Sequence, residues 1–149
     1  MYNPPDPTTF NRVVWQIVLQ IPEGKISTYG QIASMLPPPE GVALEQYQRL
    51  GPRWVGSAMQ AVPPRQGIPW QRVINSQGKI SFPRGSSGAD EQRALLEMEG
   101  VAFNQEGRVD FEQVGWEGPS AEWLDEHQLL PPRSLKKSPK PKNSQPNLF

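Results

Sequence analysis

The side chains that ordinarily carry covalent or metal chemistry are nearly missing from this chain: it has no cysteine and a single histidine, His127. Without cysteine there is no thiolate nucleophile, no disulfide and no sulfur-ligated metal, and one imidazole cannot assemble a zinc site. What remains for chemistry is the stretch Ile68-Pro69-Trp70-Gln71-Arg72-Val73-Ile74-Asn75-Ser76. Proline fixes φ and removes a backbone donor, so Trp70 is presented on a stiffened turn. An amide and a guanidinium follow it, and then an apolar strand. A flat indole beside two planar polar groups suits the wall of a pocket for a nucleobase.

Charge limits how such a ligand is reached. The chain carries 15 cations and 15 carboxylates, a formal net charge of zero. Five of the cations (Arg133, Lys136, Lys137, Lys140, Lys142) lie in residues 131–149, which have no carboxylate, so residues 1–130 hold ten cations against fifteen carboxylates. A body with a net charge of −5 does not collect nucleic acid by bulk attraction, and a binding site there must be a local patch. No apolar run approaches membrane-spanning length and the N-terminus is polar and proline-rich, so the expectation is a cytoplasmic protein with no membrane partner.

The elements that position the turn are legible as helices and short hairpins. Phe10, Val13, Val14, Ile17, Val18 and Ile21 follow the i, i+3, i+4, i+7, i+8, i+11 spacing of an amphipathic helix, with Thr8 or Thr9 as its cap. Pro22-Glu23-Gly24 ends it, and Lys25-Ile26-Ser27 reads as a short extended piece. A brief helix from Gln31 to Leu36, capped by Thr28, is broken by Pro37-Pro38-Pro39; residues 42–50 read as an excursion. Gly51-Pro52 then starts a further helix, proline suiting a first turn. In that helix Val55, Ala58, Met59 and Val62 share one face. Arg53, Ser57 and Gln60 point the other way, with Gly56 and Ala61 beside them. Two helices and a connection, the second with a polar, small-residue outer face, suggest a helix-turn-helix; an ordinary solvated helix face is the plainer alternative.

After Pro63-Pro64, the segments Arg72-Val73-Ile74 and Lys79-Ile80-Ser81 flank Asn75-Ser76-Gln77-Gly78 as a hairpin. Residues 82–89 read as a flexible loop. Asp90 caps a helix to about Met98 that buries Leu95 and Met98 and closes at Gly100. A second small hairpin is expected from Val101–Phe103 and Arg108–Phe111, and a short helix behind Ser120 offers Trp123, Leu124 and Leu129 for docking. From Pro131 the composition is that of a disordered basic tail, either adding weak salt-sensitive affinity or inert.

Three segments carry a resemblance: Ile21-Pro22-Glu23-Gly24-Lys25-Ile26-Ser27-Thr28-Tyr29-Gly30-Gln31-Ile32-Ala33, Pro52-Arg53-Trp54-Val55-Gly56-Ser57-Ala58-Met59 and Ile68–Ser76, extended by Glu91-Gln92-Arg93 and Leu95–Val101. In this order and spacing they resemble the DNA-binding domain of O6-alkylguanine-DNA alkyltransferases. Those enzymes carry a Pro-Cys-His-Arg motif whose cysteine takes the alkyl group; Trp70 stands at the cysteine position here and Gln71 at the histidine position. An indole cannot accept an alkyl group by thiolate displacement, and an amide is no general base. Tryptophan at that position marks the alkyltransferase-like proteins, cysteine-less relatives of the enzymes.

The resemblance implies a mainly α domain with small β-hairpins, in a winged helix-turn-helix-like fold, over residues 8–116. Residues 1–7 are then an irregular lead-in, 117–130 a short helical extension and 131–149 the tail. It further implies a monomeric, cofactor-free, non-enzymatic sensor. Such a protein binds double-stranded DNA containing O6-alkylguanine, flips the damaged base and passes the lesion to nucleotide excision repair proteins. Tyr29 would crowd a phosphate and help rotate the nucleotide, and Arg53 would fill the vacated place in the base stack. Gly56, Ser57 and Gln60 would approach the DNA backbone, and Trp70, Gln71 and Arg84 would line the lesion pocket with Tyr29. Arg72 and Glu99 are expected to be structural. A helix-turn-helix regulator that does not read lesions is the other reading.

Overall fold

The computed structural model describes residues 3–83 and 85–137. Helix α1, Pro7–Val18, buries Phe10, Val14, Ile17 and Val18, as its periodicity predicts. Its cap is Asp6, not Thr8 or Thr9: the carboxylate accepts from the Thr9 N–H at 3.2 Å and from the Thr9 hydroxyl at 2.8 Å. Pro7 explains the earlier start, because its fixed φ and missing N–H suit a first helical position. Strand β1 (Ser27–Thr28) leads into α2, Tyr29–Met35, which Thr28 caps through its hydroxyl to the Gln31 N–H at 3.0 Å.

Helix α3 departs from expectation. It runs Leu44–Gln60, so residues 44–50 are its first half and Pro52 lies inside it. The buried positions Tyr47, Gly51, Trp54, Val55 and Ala58 form a continuous helical stripe that begins before the proline. Gly51 serves helix contact and not helix initiation: a Cβ there would sit 3.2 Å from the Ala33 methyl and 3.0 Å from the Tyr47 ring. The Tyr47 hydroxyl donates to the Ala33 carbonyl at 2.9 Å, fastening α3 to α2 across this close approach. Packing of that stripe outweighs the roughly 3 kcal/mol that an internal proline costs a helix.

The β structure is smaller than the expected hairpins. Among the described residues the one sheet has two strands, β1 and β2 (Val73–Ile74), paired in parallel with Ser27 opposite Val73 and Thr28 opposite Ile74. The Asn75–Lys79 turn forms (Gly78 N–H to Asn75 carbonyl, 3.0 Å), but Gly78 then turns its carbonyl to the Val109 N–H and no second strand follows. The 101–111 segment likewise closes a turn at Asn104–Arg108 without strands, and Phe111–Val114 is the short helix α5. The protein is mainly helical, as the sequence implies.

Helix α4, Ser87–Met98, is capped by Ser86 and not by Asp90, which lies in its first turn. The buried face carries Gln92 and Leu96, one turn apart, and not the expected pair: Leu95 is only half-buried and Met98 is 82% exposed. Two apolar clusters result. The larger joins α1, α2 and α3 with Ile68, Val73, Trp116 and Leu124; the smaller gathers Ile26, Ile74, Leu96, Val101 and Val109 beneath α4. Helix α6, Ala121–Glu126, is capped by Ser120 and docks Leu124 as expected, with Trp123 and Leu129 partly buried against the larger cluster.

Residues 131–137, expected to be disordered, are fastened to the body instead, Arg133 to Gln31 and Ser34 of α2 and Lys136 and Lys137 to Glu117 and Glu112, and the rest of the expected tail lies outside the described residues. The new α4 register has a direct consequence. Leu96→Ala should lower the unfolding free energy by about 2–4 kcal/mol in a urea titration, and Met98→Ala by less than about 0.5 kcal/mol. Equal losses would put Met98 in the core.

Candidate functional site

The Trp70 turn is rigid for reasons visible atom by atom. Pro69 has φ −79° and ψ 69°, and the Trp70 N–H donates back to the Ile68 carbonyl at 2.8 Å. This is an inverse γ-turn, a conformation whose φ proline already holds. Trp70–Arg72 then makes a single 3-10 turn, with the Arg72 N–H on the Pro69 carbonyl at 3.0 Å, and runs into β2.

Beneath the turn lies a clamp. Arg72 donates through Nε and Nη2 to the Glu99 carboxylate at 3.0 Å each, and through Nη1 to the Ile21 carbonyl at 2.8 Å. Glu99 also accepts from the Gly24 N–H at 3.1 Å and from the Gln71 side-chain amide at 2.7 Å. Both charged side chains are largely buried, 16% and 10% exposed. Burial alone would push the Glu99 carboxyl up; the hydrogen bonds from Arg72, Gly24 and Gln71, with the Arg72 charge, outweigh it and hold the group below its ordinary value of 4.5. From α4, buried Gln92 donates its amide to the Gln71 and Val73 carbonyls at 3.0 and 3.1 Å. The turn is thus tied to the 21–24 bend that follows α1, to the middle of α4 and to Glu99 at its C-terminal end.

Above the turn is a cavity of about 530 Å³, whose walls include Tyr29, Pro52, Arg53, Gly56, Met59, Gln60, Trp70, Asn75 and Phe82. Tyr29 enters as the first residue of α2. Arg53, Gly56 and Gln60 enter as one helical stripe of α3, on the face opposite Trp54, Val55 and Ala58. The Trp70 and Phe82 rings meet edge to face, with centroids 6.3 Å apart and planes at 87°. A second hollow of about 520 Å³ continues from the first, sharing Met59, Gln60, Trp70 and Phe82. No carboxylate lines the first cavity and Arg53 is its one cation among the described residues. A mainly apolar cavity with an aromatic wall and a cation at its rim has the size and chemistry to take a planar base.

The sequence-expected residues divide accordingly. Tyr29, Arg53, Gly56, Gln60 and Trp70 come together around one cavity. Ser57 is exposed on the same helix but outside the cavity wall. Gln71, expected in the pocket, is a correction: its amide turns down to Glu99, and it does not line the cavity. The reason is charge, since a buried carboxylate attracts the nearest donor. Arg84 lies outside the described residues. The expectation that Arg72 and Glu99 are structural agrees with the clamp.

Several lining residues escaped the sequence reading: Phe82, Met59, Asn75 and Gln92. Phe82 carries a usable signal, because it is an aromatic 45% exposed between polar neighbours, and a Cβ on Gly88 would come within 2.9 Å of its ring. Gln92 carries one too, as a polar residue one turn before the buried Leu96.

Residues 9–101 match the family described as 6-O-methylguanine DNA methyltransferase, DNA binding domain. A protein of Vibrio parahaemolyticus named DNA base-flipping protein is 38% identical over 104 residues, 70% of this chain and 92% of that one. Alkyltransferase-like protein 1 of Schizosaccharomyces pombe is 42% identical over 96 residues, covering 64% of this chain and 80% of its own. The crystal structure of S. pombe Atl1 bound to damaged DNA containing O6-carboxymethylguanine is similar in fold, with a TM-score of 0.54 and 35% identity, over 73% of this chain and 95% of that one.

The clamp gives a pH dependence of defined sign. The folded Glu99 carboxyl titrates below its ordinary value, so its stabilisation is complete above about pH 4.5 and is lost as pH falls through the folded value. Glu99→Gln should therefore unfold more easily at neutral pH, by about 2–3 kcal/mol. It should also lose less stability than the wild type on acidification, read from urea midpoints. Parallel acid profiles would remove Glu99 from that dependence.

Proposed function

The chain belongs to the family of the 6-O-methylguanine DNA methyltransferase DNA-binding domain, and from that premise we propose that it is a reader of DNA damage, turning an O6-alkylguanine out of the duplex into the cavity beside Trp70 and holding it there without taking the alkyl group. The observation that carries this reading is the composition of the cavity wall. Trp70 forms it on a clamped turn, in a chain with no cysteine anywhere. A thiolate is what accepts an alkyl group in the enzymes of the family, and the resemblance of the flanking segments gives Trp70 the place of that acceptor. An indole offers stacking and apolar contact instead, about 1–3 kcal/mol per base.

The other residues fit the same event. Extruding a base costs a few kcal/mol of lost pairing and stacking. Arg53, exposed at the cavity rim, is the planar cation suited to enter the vacated stack and recover part of that cost. Tyr29, which lines the same cavity, crowds the backbone of the rotating nucleotide. The small residue Gly56 allows α3 to come close to the sugar-phosphate chain: a Cβ there would meet nothing within 4 Å. Met59, Phe82 and the adjoining second hollow leave room for alkyl groups of different length. The names DNA base-flipping protein and alkyltransferase-like protein among the relatives support the reading, as does the S. pombe structure with its damaged DNA. A lesion held but not repaired must be passed on, and nucleotide excision repair is the route consistent with a bulky protein–lesion complex.

The test is a competition titration on duplexes with O6-methylguanine or guanine at one position. Wild type should prefer the lesion, with no labelled methyl transferred to protein. Trp70→Ala should cost about 1–3 kcal/mol on the lesion duplex, roughly 5- to 150-fold, and little on the guanine duplex. Arg53→Ala should also weaken lesion binding. Stoichiometric methyl transfer to any residue would overturn the reading. Indifference of wild type to the lesion would favour a plain helix-turn-helix regulator.

A further inference from the structure

Beyond the pocket, one cation is held in place without a partner. Arg133 lies outside the 9–101 region shared with the family, in the segment that follows α6. Its backbone is fastened to α2 on both sides. The buried Gln31 amide donates to the Arg133 carbonyl at 3.0 Å, and the Arg133 N–H donates to the Ser34 hydroxyl at 2.9 Å. One turn earlier the Leu130 N–H donates to the Met35 carbonyl at 2.8 Å. Pro131 and Pro132 stiffen the approach, and Pro132 packs where a Cβ on Gly118 would collide with it.

The side chain that this anchoring presents lies beside the start of α2. A Cβ built on Gly30 would lie 3.3 Å from Arg133 Nη1, so the guanidinium rests on the backbone of the residue next to Tyr29, which lines the cavity. Arg133 also lines a hollow of about 230 Å³, and Pro52 is a wall residue of both that hollow and the main cavity. No carboxylate lines that hollow, and among the described residues the Arg133 guanidinium makes no hydrogen bond or ion pair. The residues outside the described set carry no carboxylate side chain either. An exposed arginine whose backbone is pinned and whose five donors are unused is set for an anion from outside the chain.

The position says which anion. A base turned into the cavity leaves its own phosphates outside, along the rim formed by Tyr29, Pro52 and Arg53. A strand that leaves the rim on the Tyr29 side passes over Gly30, where Arg133 lies. We propose that Arg133, supplied by the segment beyond the shared domain, binds a backbone phosphate of the DNA strand next to the extruded nucleotide. The inference rests on the lesion-reading function for its geometry. Its contribution is affinity without base information, because a phosphate is the same beside guanine and its alkylated form. In a body with net charge −5 over residues 1–130, one correctly placed cation carries more weight than it would on a basic surface.

The experiment is binding of wild type, Arg133→Ala and Arg133→Lys, as full chains, to O6-methylguanine and guanine duplexes over a series of salt concentrations. For Arg133→Ala the affinity should fall by the same factor on both duplexes, about 3- to 10-fold at low salt. The slope of log K against log salt should shrink by about 0.9, one phosphate contact. Arg133→Lys should restore most of the slope. Thermal unfolding should be unchanged in both variants, since the backbone anchors remain. An unaltered slope for Arg133→Ala would overturn the proposal, as would a loss confined to the lesion duplex. The two readings fail separately: a wild type without lesion preference but with an Arg133-dependent slope keeps the phosphate contact and removes the lesion function.

Discussion

The buried pair Arg72–Glu99 is the interaction on which the site depends. Each partner would be costly alone: a carboxylate withdrawn from water needs its lone pairs filled, and here Arg72, Gly24 and Gln71 fill them. Each bond also joins a different piece of chain. The bend after α1 enters through Ile21 and Gly24, the Trp70 turn through Gln71 and Arg72, and the C-terminal end of α4 through Glu99 itself. Three stretches far apart in sequence are therefore held as one body, with Gln92 strapping the same turn from the middle of α4. Trp70 needs no bond of its own to be rigid, because the backbone under it cannot move.

That rigidity sets the division of labour around the cavity. The floor and one wall are fixed by the clamp and by the fully buried stripe of α3, where Trp54 is enclosed by Phe10 and Tyr47. The indole N–H of Trp54 finds no acceptor among the described residues, a cost the aromatic packing offsets. The rim is different in kind. Phe82 and Arg53 are exposed, and none of the described residues between Phe82 and Ser87 lies in a helix or strand. A preformed aromatic wall with an exposed rim suits a ligand that enters as a flat plate and leaves charged groups outside.

Much of this was legible in the residues because the signals were local. The α1 stripe, the Thr28 and Ser120 caps and the rigid presentation of Trp70 each rest on neighbours within one or two turns. The misreadings share a cause. Gly51-Pro52 reads as a helix start, yet glycine is there so that α2 and α3 can touch, and packing of Tyr47 carries the helix through the proline. Asp90 reads as a cap, but Ser86 caps α4 one turn earlier; Met98 reads as buried, but the cluster of Ile26, Ile74, Val101 and Val109 takes Leu96 instead. Val73–Ile74 reads as half of a hairpin, but its partner is Ser27–Thr28, distant in sequence. Gln71 reads as a pocket residue until a buried carboxylate from α4 claims its amide.

By itself, then, the sequence determined the chemistry that is available and the chemistry that is not. A chain without cysteine cannot take up an alkyl group on a thiolate, and a proline before a tryptophan stiffens the turn that presents it. Both follow from covalent structure, which needs no partner. Only the tertiary structure decided which side chains share a space: that Phe82 faces Trp70, that Gln71 serves Glu99, and that a segment composed like a free tail returns to lay Arg133 beside Gly30. Those are long-range contacts, selected by burial and by the need of buried polar groups for partners, and neither is written in the spacing of neighbouring residues.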